Sequence, residues 1–324
     1  MESSVIFAEG HHFPSHLDTN SNQFTFVQLS DPQLGLLERY GEKREPPFKW
    51  DRELSLVDRA ITTINCLHNK PKFVVICGDM VDAEPGNPDR TNQISDLKSA
   101  LVKISPDIPI FVVPGNHDLG NSPSSADIYD YKTHWGDDYF TFCCGNVKNI
   151  VVNSQLYFDS SQCQEEALVQ DIWLNSELSV QKTQDVQKII VFQVIFLFGI
   201  VIIFTSSAFQ HIPPFKKSYD EKDGYFNLPK SIRGDLLHRY YKAGVRHIFS
   251  GHLHFNSYCQ WRPQSCDQNE SPLEIISSTA VGLQLGQDKS GLRIVRVSGT
   301  SLTHKYFSFD EIDRCPDIIT KSGF

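Results

Sequence analysis

At 324 residues the chain is long enough to bury a sizeable core as one large domain or two small ones. A hydrophobic content of 40% with 21% charged residues excludes a disordered chain and a multi-span membrane protein. The net charge of −9 comes with no lysine–arginine stripe to neutralise phosphates, which argues against a nucleic-acid partner.

Residues 1–23 are polar, with neither a basic n-region nor a long apolar segment, and read as a mobile tail without a secretory signal. The eight cysteines show no C-x-x-C spacing, so free thiols of a cytoplasmic protein are expected in preference to a Cys143–Cys144 or Cys259–Cys266 disulfide. Residues 24–30 (FTFVQLS) are aromatic and β-branched and stop at Asp31-Pro32, which predicts a strand. Leu54, Val57, Ile61 and Ile64 recur at helical spacing and predict a helix over about 50–68. Residues 72–79 (KFVVICGD) predict a second strand, apolar on both faces. A Pro/Gly/Asn loop at 84–88 leads to a helix through Ile94, Leu97 and Leu101, and residues 109–118 (PIFVVPGNHD) to a third strand that breaks at Pro114-Gly115.

Further on, residues 149–155 (NIVVNSQ) predict a fourth strand, 165–178 a helix with Leu168, Ile172 and Leu178 on one face, and 188–193 (KIIVFQ) a fifth strand. An apolar run continues from there to about Phe209, long enough by itself to suggest a membrane span. Residues 231–242 predict a helix and 245–254 (VRHIFSGHLH) a sixth strand; the remainder reads as strands and turns. Alternating strands and helices followed by strands predict a single α/β domain whose sheets pack face to face with helices outside.

Four of these strands end in polar residues of one chemical kind: Asp31, then Gly78-Asp79, then Gly115-Asn116-His117-Asp118, then Gly251-His252-Leu253-His254. In open α/β sheets ligands sit beyond the carboxyl ends of strands, so residues scattered along the chain would converge there. Taken singly, a Gly-Asp is a turn, a Gly-Asn-His-Asp a capped turn and a His-x-His surface decoration. Taken together, mixed carboxylate, amide and imidazole donors suit a pair of first-row divalent ions. Such a pair clamps a phosphoryl group and activates a bridging water, and a nearby imidazole can protonate the leaving oxygen.

The ordered set Asp31-Pro32-Gln33, Gly78-Asp79, Gly115-Asn116-His117-Asp118, His211 and Gly251-His252-Leu253-His254 resembles the calcineurin-like metallophosphoesterase superfamily, from about Phe24 to Asp310. The resemblance implies a four-layer α/β/β/α sandwich over 24–310, followed by a tail at 311–324. It also implies two divalent cations (Mn, Fe, Zn or Mg): Asp31, Gln33 and His254 would hold the first, Asn116, His211 and His252 the second, and Asp79 would bridge them. His117 would be the general acid, oriented by Asp118. Most members have histidine where this chain has Gln33, and a neutral amide oxygen implies a looser first site that prefers Mn or Mg over Zn. Arg90, in the loop after the second motif, is a candidate for bidentate contact with a substrate phosphate, against the plainer reading of a solvated loop arginine. The remaining histidines, His247 and His304 among them, match no motif.

The implied activity is a dimetal phosphoesterase acting on phosphoserine or phosphothreonine in a protein. Two alternatives are a nucleotide or small-molecule phosphodiesterase with the same site, and a non-catalytic scaffold whose second metal site the apolar run has broken. The motif also decides against the membrane span. A crossing before His211 would put His211, His252 and His254 on the opposite side from Asp31, Asp79 and Asn116. Two readings of residues 194–210 remain: an insertion folded back as a hydrophobic hairpin, or translated intron sequence. Removing them leaves KIIVFQ-HIPPF, in which one strand delivers His211 directly. The repeated Phe-Gln, Phe192-Gln193 and Phe209-Gln210, offers a further route in which the second copy takes the strand end.

Overall fold

The computed structural model describes residues 16–17, 23–145, 147–191, 205–266, 270–299 and 301–317. In chain order it builds β1 (His16–Leu17), β2 (Gln23–Leu29), α1 (Asp51–Cys66), β3 (Val74–Cys77), α2 (Arg90–Leu101), β4 (Ile110–Val113), α3 (Asn116–Leu119), α4 (Ser125–Trp135), β5 (Phe140–Cys144), β6 (Val147–Val151), α5 (Gln155–Phe158) and α6 (Gln164–Val191). There follow β7 (Thr205–Phe209), α7 (Lys230–Ala243), β8 (Val245–Ser250), β9 (Ser257–Trp261), β10 (Leu273–Ser277), β11 (Gly291–Ser298), β12 (Ser301–Ser308) and α8 (Phe309–Arg314). A short π-helical turn, Leu37–Gly41, lies between β2 and α1.

The strands form two sheets. One has the order β12-β11-β2-β3-β4, the other β1-β5-β6-β7-β8-β10-β9. Pairing is parallel from β2 through β4 and from β6 through β8 to β10. All carboxyl ends in each parallel run therefore lie at one edge, where a site can form.

Aromatic side chains bind the sheets face to face. Phe26 on β2 stacks on Phe73 and meets Phe209 and Phe249 of the second sheet edge-on, at 5.9 and 5.7 Å. Phe111 of β4 stacks on Phe142 of β5. The outer faces are covered by helices. Val57, Ile61 and Ile64 of α1 and Ile94, Leu97 and Leu101 of α2 join the core of the first sheet. Leu174 and Leu178 of α6 and Leu236, Leu237 and Tyr240 of α7 close the second. This is the four-layer α/β/β/α sandwich expected.

Several local expectations are corrected. Leu178 is buried, but Leu168 and Ile172 are exposed; Leu174 takes the inward place on α6. Residues 188–191 of the expected fifth strand lie in α6, which runs on to Val191. Residues 192–204 of the apolar run fall outside the described residues. The strand that enters the sheet is TSSAF, β7, paired between β6 and β8. Its alternation explains the choice. Ala208 faces α7 in one apolar cluster, and Phe209 faces the opposite sheet in the other. The end of the segment read as an insertion is thus part of the central sheet, and the second Phe-Gln copy precedes His211. Helix α4, strands β5 and β9 and helix α8 were not expected. All eight cysteines are free. No helix among the described residues is long and apolar enough to cross a membrane.

Candidate metal centre

The two parallel runs bring their carboxyl ends together, and the loops leaving β2, β3, β4, β7 and β8 carry the motif residues. Backbone strain marks the spot. Among the described residues six non-glycines have positive φ, and five of them are Asp31 (47°), Gln33 (41°), Asp79 (51°), His252 (68°) and His254 (56°). Left-handed backbone disfavours side chains of this size and persists where the surroundings over-determine it, which is typical of ligand clamps. Two motif glycines serve close approach. A Cβ on Gly78, at φ 83°, would run into the His211 ring, and one on Gly115 would strike Asp79.

The buried ligand atoms form two overlapping groups. Those of Asp79, His211 and His252 lie within 4.8 Å of one another, and so do those of Asp31, Asp79 and His254. Asp79 belongs to both. His211 Nε2 is 3.3 Å from Asp79 Oδ2 and 3.0 Å from Asn116 Oδ1, which brings Asn116 into the first group. His254 Nε2 is 3.6 Å from Asp31 Oδ1 in the second.

The imidazoles are held as metal ligands are. His211 Nδ1 donates to Cys77 O at 2.9 Å, His252 Nε2 to Tyr225 O at 2.7 Å, and His254 Nδ1 to Leu283 O. Each contact anchors its ring through one nitrogen, and the other nitrogen of His211 faces Asn116 and Asp79. Tyr225 OH accepts from Asn116 Nδ2 at 2.8 Å, which turns the amide oxygen toward His211. Gln33 Oε1 is buried with no hydrogen-bond partner among the described residues, a position that a cation would satisfy.

Charge tells the same story. Burial raises Asp31, whereas Asp79, although equally buried, is held below the usual carboxylate range by His211 and His117. Burial would lower His211, yet Asp79 lifts it to about 9; burial and then His211 push His252 down to about 3. Two buried carboxylates side by side, ringed by imidazoles, are a cation's environment rather than a structural ion pair's. The residues present therefore fit two divalent ions sharing Asp79.

His117 lines the same cleft, about 430 Å³ in volume, with Gln33, Asp79, His252 and His254. Its Nδ1 meets Asp82 O at 2.9 Å and the Asp82 carboxylate at 3.4 Å. His117 Nδ1 therefore pairs with Asp82, where Asp118 was expected. Asp118 accepts from Met80 N at 3.0 Å and Gly115 N at 2.9 Å, so it ties the second motif to the third, and burial raises it to about 6. Sequence reasoning missed Asp82, although Gly78-Asp79-Met80-Val81-Asp82 places it three residues past the bridging carboxylate. Arg90 is neither solvated nor turned to the cleft. Its side chain is 6% exposed, opens α2, donates to Ala83 O and Asp118 O at 2.8 Å, and pairs with Asp130. It braces the loop behind the site.

Residues 24–256 match the family model described as calcineurin-like phosphoesterase. The chain is 40% identical over 294 residues to serine/threonine-protein phosphatase CPPED1 of Danio rerio, covering 90% of this chain and 87% of that one. It is 39% identical over 304 residues to the Homo sapiens protein of the same name, covering 93% and 88%. Among solved structures it superposes on purple acid phosphatase PPD1 from yellow lupin seeds with a TM-score of 0.59 at 13% identity, over 92% of this chain and 53% of that one. A dimetal phosphatase from Danio rerio superposes with a TM-score of 0.58 at 13% identity, over 88% and 96%. At such identity these two likenesses establish the fold alone.

Proposed function

The chain belongs to the calcineurin-like phosphoesterase family, and from that premise we propose that it removes phosphate from phosphoserine and phosphothreonine in cytoplasmic proteins, with manganese as the preferred metal. The observation that carries the reading is the pair of overlapping ligand groups sharing Asp79. The relatives named above are serine/threonine-protein phosphatases, which supports a protein substrate.

Asp31, Gln33 and His254 would hold one ion, Asn116, His211 and His252 the other, with Asp79 between them. A divalent pair there supplies Lewis-acid charge for the phosphoryl group and brings water close to ionisation at neutral pH. The chain's own residues do the rest. Asp79 Oδ1 accepts from His117 N at 2.8 Å, so the bridging carboxylate also sets the position of the acid's backbone. Asp82 pins His117 Nδ1, which leaves Nε2 to deliver a proton. A serine or threonine alkoxide is a poor leaving group and needs that proton, a contribution worth about 10²–10⁴-fold. The neutral oxygen of Gln33 favours Mn or Mg over Zn at the first ion.

The test compares Mn²⁺-dependent hydrolysis of a phosphoserine peptide and of a cyclic nucleotide. Release of phosphate from the peptide alone is expected. Turnover of the cyclic nucleotide alone would make the protein a phosphodiesterase, and bound metal without turnover of either would make it a binding protein.

A further inference from the structure

Arg90 faces away from the cleft, so it cannot contact a phosphate there. Among the described residues the cleft is lined by a single Lys or Arg side chain, Arg39, on the π-helical turn after the first motif. Its Nε and Nη2 donate to the Asp82 carboxylate at 2.5 and 2.6 Å, a fork-to-fork pair. A guanidinium has five donors along three edges. The pair with Asp82 consumes one edge, and no described residue takes the Nη1–Nη2 edge. The side chain is 43% exposed whereas Asp82 is 5% exposed, so the arginine stands on the rim with its base fixed and its outer edge open.

We propose that Arg39 is the substrate-phosphate anchor: Asp82 immobilises it, and its Nη1–Nη2 edge grips the phosphoryl oxygens of a phosphomonoester seated on the metals. The inference rests on the phosphoesterase reading and adds a residue that none of the five motif blocks contains. Asp82 then serves both sides of the reaction, orienting His117 through Nδ1 and Arg39 through its fork. Preorganisation explains why an exposed arginine is useful here, since the fork is held before substrate arrives.

The experiment titrates Mn²⁺-loaded wild type, Arg39→Gln and Arg39→Lys with inorganic phosphate by calorimetry. Beside it, turnover of a nitrophenyl phosphate and of an alkyl phosphate is measured. In Arg39→Gln the phosphate Kd and both KM values should rise roughly 10- to 100-fold. Arg39→Lys keeps a cation beside Asp82 and should recover only part of the loss, because an ammonium has no second edge. Unchanged phosphate Kd in Arg39→Gln would overturn the proposal. So would an unchanged Kd with a fall in kcat confined to the alkyl ester, which would assign Arg39 to supporting His117 through Asp82. If wild type binds phosphate but turns over neither ester, the phosphatase reading fails, and the titration alone still decides the role of Arg39. If wild type turns over the esters but binds no phosphate, the Arg39 proposal falls and the phosphatase reading stands.

Discussion

Strands β3 and β7 do the same job in opposite sheets, yet they are built from different material. Strand β3 is VVIC, buried throughout and followed at once by Gly78-Asp79. Strand β7 is TSSAF, with Ser206 and Ser207 both buried, and it delivers His211 two residues after Phe209. Upstream, at 188–192, lies KIIVF, the better strand by composition, whose residues up to Val191 are helical in α6. Neighbours explain the difference. A strand between two parallel partners needs backbone pairing on both edges and one large side chain for the core, and β7 supplies Phe209 where β3 supplies a continuous apolar run.

Phe209 is the point at which this comparison can be broken most severely. Replacing it with alanine should cost about 3–5 kcal/mol of stability and take His211 out of register. Denaturant unfolding and metal content would both report it. Stability unchanged in Phe209→Ala would mean that another segment fills β7.

The next effect separates the two aspartates of the β3 side. Asp82→Asn should lower kcat about 10- to 100-fold on an alkyl phosphate and much less on a nitrophenyl ester, whose leaving group needs no proton. Asp118→Asn should instead cost about 1–3 kcal/mol of stability, since it ties Met80 N and Gly115 N together. The reverse pattern would return the orienting role to Asp118.

A third contrast sets apart two histidines of the β8 side. His252 is a candidate ligand, whereas His247 is buried in the strand and pushed down to about 4 by burial and by Arg246. A depressed folded-state value means that the unfolded chain takes up the proton first. Stability should be full above about pH 6.5 and decline toward pH 4, by on the order of 3 kcal/mol from this residue. Thermal unfolding across that range should show the acid limb, and His247→Phe should flatten it. A limb equally steep in the variant would place its origin elsewhere.

These contrasts show what was legible in the sequence. The β3 and β4 ends were readable because an apolar run met a Gly-Asp or Gly-Asn-His-Asp in contiguous residues, and local pattern was enough. The order of motifs along the chain also carried the sandwich. Strand β7 was hidden because its identity comes from β6 and β8, which are distant in sequence. Asp82 was missed and Arg90 misjudged for a related reason. Whether a polar side chain faces the cleft or the loop behind it depends on which backbone carbonyls lie nearby, and no spacing rule records that. Arg39 sits in the loop after Asp31-Pro32-Gln33 and becomes informative only when Asp82 is seen beneath it.

Metal stoichiometry decides whether two ions share Asp79. Wild type, His211→Ala and Asp79→Asn would be equilibrated with Mn²⁺ and their bound metal counted. Two ions per chain are expected in wild type, one in His211→Ala with the Asp31 side retained, and weakened binding at both positions in Asp79→Asn. A single ion in wild type, or two tightly held ions in Asp79→Asn, would contradict it.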